Sequence, residues 1–161
     1  MKSILLAAAL FPLFVAAQDC KLARDTDPYT KETKLSSGFI SLQGGSLTID
    51  ADSKEIDCFF TITDKCFNDQ STLFVFFEGS KSKATYHNAG SMNCNGDFHV
   101  IFRNGAATNT MLQKLGTLKT TQFVFNNADK KPTTITLTPE EQDVFMKSVN
   151  CVITEAKTLI K

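Results

Sequence analysis

The chain has 161 residues, 42% of them hydrophobic and 21% charged, and its 17 lysines and arginines balance 17 aspartates and glutamates. That length suits a single domain with its own core, burying roughly 68–70% of the unfolded surface. The charge balance removes the electrostatic argument for a nucleic-acid partner, and no basic patch is visible in the sequence.

The first seventeen residues read as a secretory signal: Lys2, then an almost unbroken apolar run from Ile4 to Val15, then Val15-Ala16-Ala17, small residues suited to cleavage. The run is about a dozen residues, short of the roughly 20 that a membrane-spanning helix needs. Gln18 and Asp19 before Cys20 argue against lipid modification of that cysteine. Signal removal leaves residues 18–161 as one domain with no transmembrane segment, a net charge close to zero and all five cysteines. Export places those cysteines in an oxidising compartment, periplasmic or extracellular.

From Tyr29 to Phe125 the pattern is one of short strands separated by turn residues. Gly44-Gly45 between Phe39–Leu42 and Leu47–Ile49 predicts a tight hairpin. Ile56, Cys58, Phe60 and Ile62 alternate on one face of the next strand. Leu73, Val75 and Phe77 alternate with Phe74 and Phe76, so both faces are apolar, which predicts a central strand covered on each side. Tyr86-His87 reads as a turn. Phe98, Val100 and Phe102 alternate in a further strand, with His99 on its opposite face. Thr108 is placed to cap a short helix carrying Met111, Leu112 and Leu115, which Gly116 would end. Phe123 and Phe125 mark another strand, and Thr133 to Leu137 the last. Thr138-Pro139-Glu140-Glu141 then opens a terminal helix with a capping-box pattern. Its stripe of Phe145, Val149, Val152, Ile153, Ala156 and Ile160 suits packing on a sheet. The expected class is α+β: a mostly antiparallel sheet, one short helix, and a C-terminal helix packed on one face.

Five cysteines leave at least one unpaired. Cys58 shares a face with Ile56, Phe60 and Ile62 and reads as a small buried hydrophobe, the candidate free thiol. Cys66 and Cys94 lie in polar, turn-rich surroundings where a loop-to-loop bridge is easiest, and Cys20 and Cys151 would then form the other pair. Spacing alone leaves fifteen arrangements open.

Nothing in the chain has the spacing of a zinc site: there is no CxxC and no histidine near a cysteine. Asp50, Asp52, Glu55 and Asp57 lack the EF-hand pattern, with Lys54 among them, and read as a solvated turn. Catalysis has only His87 and His99 to offer as bases of a hydrolase, with no GxSxG or HExxH arrangement around either. No cofactor motif is present, and no cofactor is expected. Twelve phenylalanines remain after signal removal, and most should form the core. Phe60, Phe74, Phe76, Phe98 and Phe123 could instead line a cavity for a small apolar ligand, which would make the protein a carrier. A third reading is protein binding, with Thr117 to Phe125 as an unprotected sheet edge open to a partner strand.

Several loose motifs run together along the chain: a cysteine followed by Asp27-Pro28-Tyr29-Thr30-Lys31, Cys66, the strand Ser71 to Gly79, Asn93-Cys94-Asn95-Gly96, Leu112-Gln113-Lys114-Leu115, then Phe145 and Cys151. In these the chain resembles a group of small uncharacterised secreted or periplasmic bacterial proteins that open with an Asp-x-[Phe/Tyr]-Thr motif. Tyr29 stands where that group usually has phenylalanine, and Asn126 follows Phe125 where it usually has arginine. The resemblance implies an exported bacterial domain in which Cys20, Cys66, Cys94 and Cys151 belong to the shared pattern and Cys58 does not. It carries no activity and no catalytic residue. The expected function is therefore an exported, non-enzymatic binding or scaffolding domain of the cell envelope.

Overall fold

A computed structural model describes residues 20–129 and 131–160. The signal segment, residues 1–17, lies outside the described residues. Ten strands and two helices follow in chain order: β1 (Ala23–Thr26), β2 (Thr33–Ser36), β3 (Ile40–Leu42), β4 (Gly45–Ala51), β5 (Glu55–Ile62), β6 (Thr72–Phe77), β7 (Lys83–His87), β8 (Asp97–Arg103), α1 (Thr110–Thr117), β9 (Thr120–Asn126), β10 (Pro132–Thr136) and α2 (Pro139–Ala156). Every strand pairing is antiparallel. The strands divide into two sheets where the sequence suggested one. The larger has the order β1-β2-β4-β5-β8, with β3 also on β4, and the smaller the order β10-β9-β6-β7.

The two sheets share one core. Period-2 alternation turns Ile56, Cys58, Phe60 and Ile62 of β5 and Phe98, Val100 and Phe102 of β8 inward, where they are buried with Leu73 and Val75 of β6 and Phe123 and Phe125 of β9. Phe60 meets Phe123 and Phe125 edge-to-face, each with centroids 5.3 Å apart, and Phe98 meets Phe125 at the same separation. Such pairs add stabilisation beyond the area they bury.

The larger sheet needs one break in its pairing. β4 faces β3 along Gly45–Leu47 and β2 at Asp50–Ala51, so a single edge serves two strands. The chain crosses between them at Ser37-Gly38, where Gly38 has φ +69° and the Ser37 hydroxyl accepts the Ile49 amide proton. Glycine takes that left-handed conformation without the strain a Cβ would bring.

α2 opens as its sequence requires. Thr138 Oγ1 accepts from the Glu141 amide while Glu141 Oε2 accepts from the Thr138 amide, a complete capping box with Pro139 at the first turn. Phe145, Val149, Cys151, Val152 and Ala156 are buried, and the helix packs against β2 and β4 of the larger sheet and β9 of the smaller. Ile160 lies beyond the helix. At the far end, buried Asn104 donates to the Ala156 and Asp52 carbonyls, both at 2.8 Å, satisfying a helix-end acceptor and tying it to the β4–β5 turn.

Further expectations of local structure need correction. The cap of α1 is Asn109, whose Oδ1 accepts from the Met111 amide, and not Thr108. Gly116 lies inside α1, because its bare backbone is where α1 meets α2: a Cβ there would be 3.3 Å from Ile153 Cδ1 and 3.4 Å from Val149 Cγ1. Tyr86 and His87 belong to β7, with Tyr86 buried and donating to the Met111 carbonyl. β9 is interior, between β10 and β6, so Thr117 to Phe125 offers no free edge.

Candidate functional site

The outer face of the larger sheet carries a row of residues set directly opposite one another across five strands: Ala23, Ser36, Asp50, Asp57 and Ile101. Asp50 and Asp57 therefore place two carboxylates opposite each other, which costs stability unless a compensating group is near. The compensation comes diagonally. His99 lies two residues from Ile101 on β8, and its Nδ1 donates to Asp57 Oδ2 at 2.7 Å. The His99 ring also stacks on Phe59, its directly opposed neighbour, with centroids 4.6 Å apart.

Asp57 is the unusual member. Its Oδ1 is buried without a hydrogen-bond partner among the described residues. Burial raises its carboxyl above the ordinary value, the His99 hydrogen bond and charge oppose that rise, and the Asp50 and Glu55 charges add to it. Asp52, by contrast, has a structural task, since its Oδ1 accepts from the amides of Lys54 and Glu55 and closes the β4–β5 turn.

Next to this row the β1–β2 hairpin forms the far wall of a groove of about 400 Å³, lined by Ala23–Asp25, Lys34–Ser36, Asp50–Asp52, Glu55 and Asp57. Five carboxylates face two cations there, and Arg24 is drawn off by Glu155 of α2 at 3.6 Å. The hairpin tip is ordered by Asp27, whose Oδ1 accepts from the amides of Tyr29 and Thr30 and whose carboxyl is lowered by those bonds. Tyr29 is 92% exposed at that tip.

The sequence-predicted residues are dispersed. Phe60, Phe98 and Phe123 fill the core, at most 2% exposed, while Phe74 and Phe76 point to the other side of β6 and are half-buried. The five therefore do not share one face: Phe60, Phe98 and Phe123 pack edge-to-face between the sheets, and Phe74 and Phe76 lie on the far side of β6. β6 is central in its sheet, yet among the described residues no element covers its outer face; the Lys83 ammonium sits 3.2 Å over the Phe74 ring instead. His87 is exposed on β7 with no side-chain partner among the described residues. Of the two histidines only His99 has a carboxylate beside it, and no hydroxyl or thiol bonds to its ring among the described residues.

Cys66 is bridged to Cys94 and Cys20 to Cys151. Cys58 is the free cysteine, buried, its thiol pushed far up by burial and by the nearby Asp57 and Asp50 charges. Among the described residues no three or more histidine, cysteine or acidic side chains gather as a metal site. The Asp50–Asp57 cluster, read in sequence as a solvated turn, is the feature that sequence reasoning missed. Its signal was period 2: Asp57 lies between two inward residues, Ile56 and Cys58, and so had to face outward on a strand.

No family model matches the chain, and no curated protein or solved structure matches it either. The two disulfides fit a secreted protein, and no helix among the described residues is long and apolar enough to cross a membrane.

Proposed function

We propose that the protein is an exported, non-enzymatic binding domain of the bacterial cell envelope, periplasmic or secreted, that receives a basic segment of a partner protein in the β1–β2–β4–β5 groove. The observation that carries this reading is the charge imbalance of the groove, five carboxylates against Lys34 and a diverted Arg24. A lysine or arginine side chain of a partner would relieve the Asp50–Asp57 repulsion that His99 offsets only from one side. The groove volume lies in the range of ligand-sized sites and suits one or two side chains. The two disulfides support an oxidising, exported location. The test is a double substitution, Asp50→Asn with Glu55→Gln, assayed against a fluorescently labelled oligolysine peptide. The variant should fold and bind at least about tenfold more weakly; unchanged affinity would remove the groove from the account.

A second reading rests on one specific observation. The Asp57 carboxylate orients His99 through Nδ1, as in a catalytic pair, leaving Nε2 to act as a base for hydrolysis. Ester turnover that disappears in His99→Asn would favour it over simple binding.

A further inference from the structure

A second hollow, of about 270 Å³, lies on the smaller sheet away from the acidic groove, and its lining is Asn68, Gln70, Asn126, Asn127 and Ala128. Four of these five residues are amides and none carries charge. We infer that this hollow is a binding site for a neutral, hydroxyl-rich ligand, a saccharide unit.

The argument begins with what the amides leave unused. Asn126 Nδ2 donates to Thr72 Oγ1 at 2.9 Å and Asn127 Nδ2 donates to Thr133 Oγ1 at 3.1 Å. Asn68 Oδ1 accepts from the Gln70 amide and the Ser71 hydroxyl. Among the described residues this leaves Asn68 Nδ2 and Gln70 Nε2 as donors, and Asn126 Oδ1, Asn127 Oδ1 and Gln70 Oε1 as acceptors, without a protein partner. Asn127 is 6% exposed and its Oδ1 is buried without a protein partner among the described residues, so it bounds the hollow while the accessible amides of Asn68, Gln70 and Asn126 face a ligand. A mixture of free donors and acceptors in a chargeless hollow matches hydroxyl groups, each of which both donates and accepts. A charged ligand would lose hydration there without gaining a counter-charge.

The walls are fixed before any ligand arrives. The Cys66 carbonyl accepts from the Ala128 amide at 3.1 Å, and the Cys66–Cys94 bridge and the Phe67–Asn93 pairing hold that loop. Thr72 and Asn126 are opposed in the β6–β9 ladder, and buried Asn88 donates to the Asn68 carbonyl. Such preorganisation lowers the ordering cost of binding.

The experiment is a backbone amide NMR titration of the oxidised, signal-free protein with neutral sugars, free (glucose, maltose) and in chain form (N-acetylglucosamine oligomers), and with charged glucosamine as control. The proposal expects saturable shifts confined to residues 68–72 and 126–128 with a neutral sugar. Tighter binding of the oligomers would identify a glycan, and equal binding a free sugar. The exposed Gln70, replaced as Gln70→Ala, should weaken affinity roughly three- to tenfold without altering the rest of the spectrum. Absence of saturable shifts with every neutral sugar, shifts centred elsewhere, equal response to glucosamine, or unchanged affinity in Gln70→Ala would each overturn it.

Discussion

Asp57 is the residue at which the outer face of the larger sheet is most tightly constrained. A carboxyl whose folded value is raised binds protons more readily in the native state than in the unfolded one, so stability falls as pH rises from the ordinary value of 3.8 through the raised one. Asp57→Asn removes that loss. The variant should exceed the parent in stability at pH 7, and the gap should close as pH falls towards 3.8; urea titrations across this range check it, and a pH-independent gap would contradict it. Gly96 offers a cleaner backbone case. It has φ +86°, and a Cβ there would clash with the Ile62 carbonyl oxygen, so Gly96→Ala should cost about 3 kcal/mol or more by urea denaturation. The turn at Asn95-Gly96 was legible in sequence, but the close approach to Ile62 was not, since nothing local signals that β5 ends against it. The Asp57–His99 contact was hidden for the same reason: it depends on a β5–β8 register spanning 42 residues.

At the scale of elements, inward and outward faces were readable wherever one face of a strand meets the core. β5, β8 and β9 follow their alternation, and α2 begins at the capping box that its first residues spell out. β1 escaped, because Ala23–Thr26 is exposed along its whole length and carries no alternation to detect. Gly116 misled because a glycine near a helix end suggests a terminator, whereas here it allows α1 to approach α2. Gly116→Ala gains up to about 1 kcal/mol of helix propensity against a slight shift of Ile153, so it should be neutral to stabilising. Gly116→Val should instead destabilise by about 1–3 kcal/mol, through overpacking at the same contact. Thermal melts of the pair test the assignment, and equal effects of the two substitutions would refute it.

Across the whole molecule, two sheets around one aromatic core are held to the N-terminal segment by a bridge from Cys20 to α2. That bridge closes a loop of 131 residues, for which the chain-entropy argument gives about 5 kcal/mol, and engineered removals usually cost about 2–5 kcal/mol. The paired substitution Cys20→Ser with Cys151→Ser should lower the melting temperature by about 10 °C. It should also weaken the groove, since β1, its outer wall, follows Cys20 by three residues and otherwise reaches α2 through Arg24–Glu155. The division into two sheets could not be read from sequence, because alternation tells which face is apolar and not which strands pair. The measurement that bears most directly on the proposed function is an equilibrium titration of the oxidised protein with oligolysine, at low and at high salt, beside oligoglutamate. The account predicts saturable binding of oligolysine that weakens as salt screens the carboxylates, and none of oligoglutamate. Equal affinity for both peptides, or no binding of oligolysine at low salt, would contradict it.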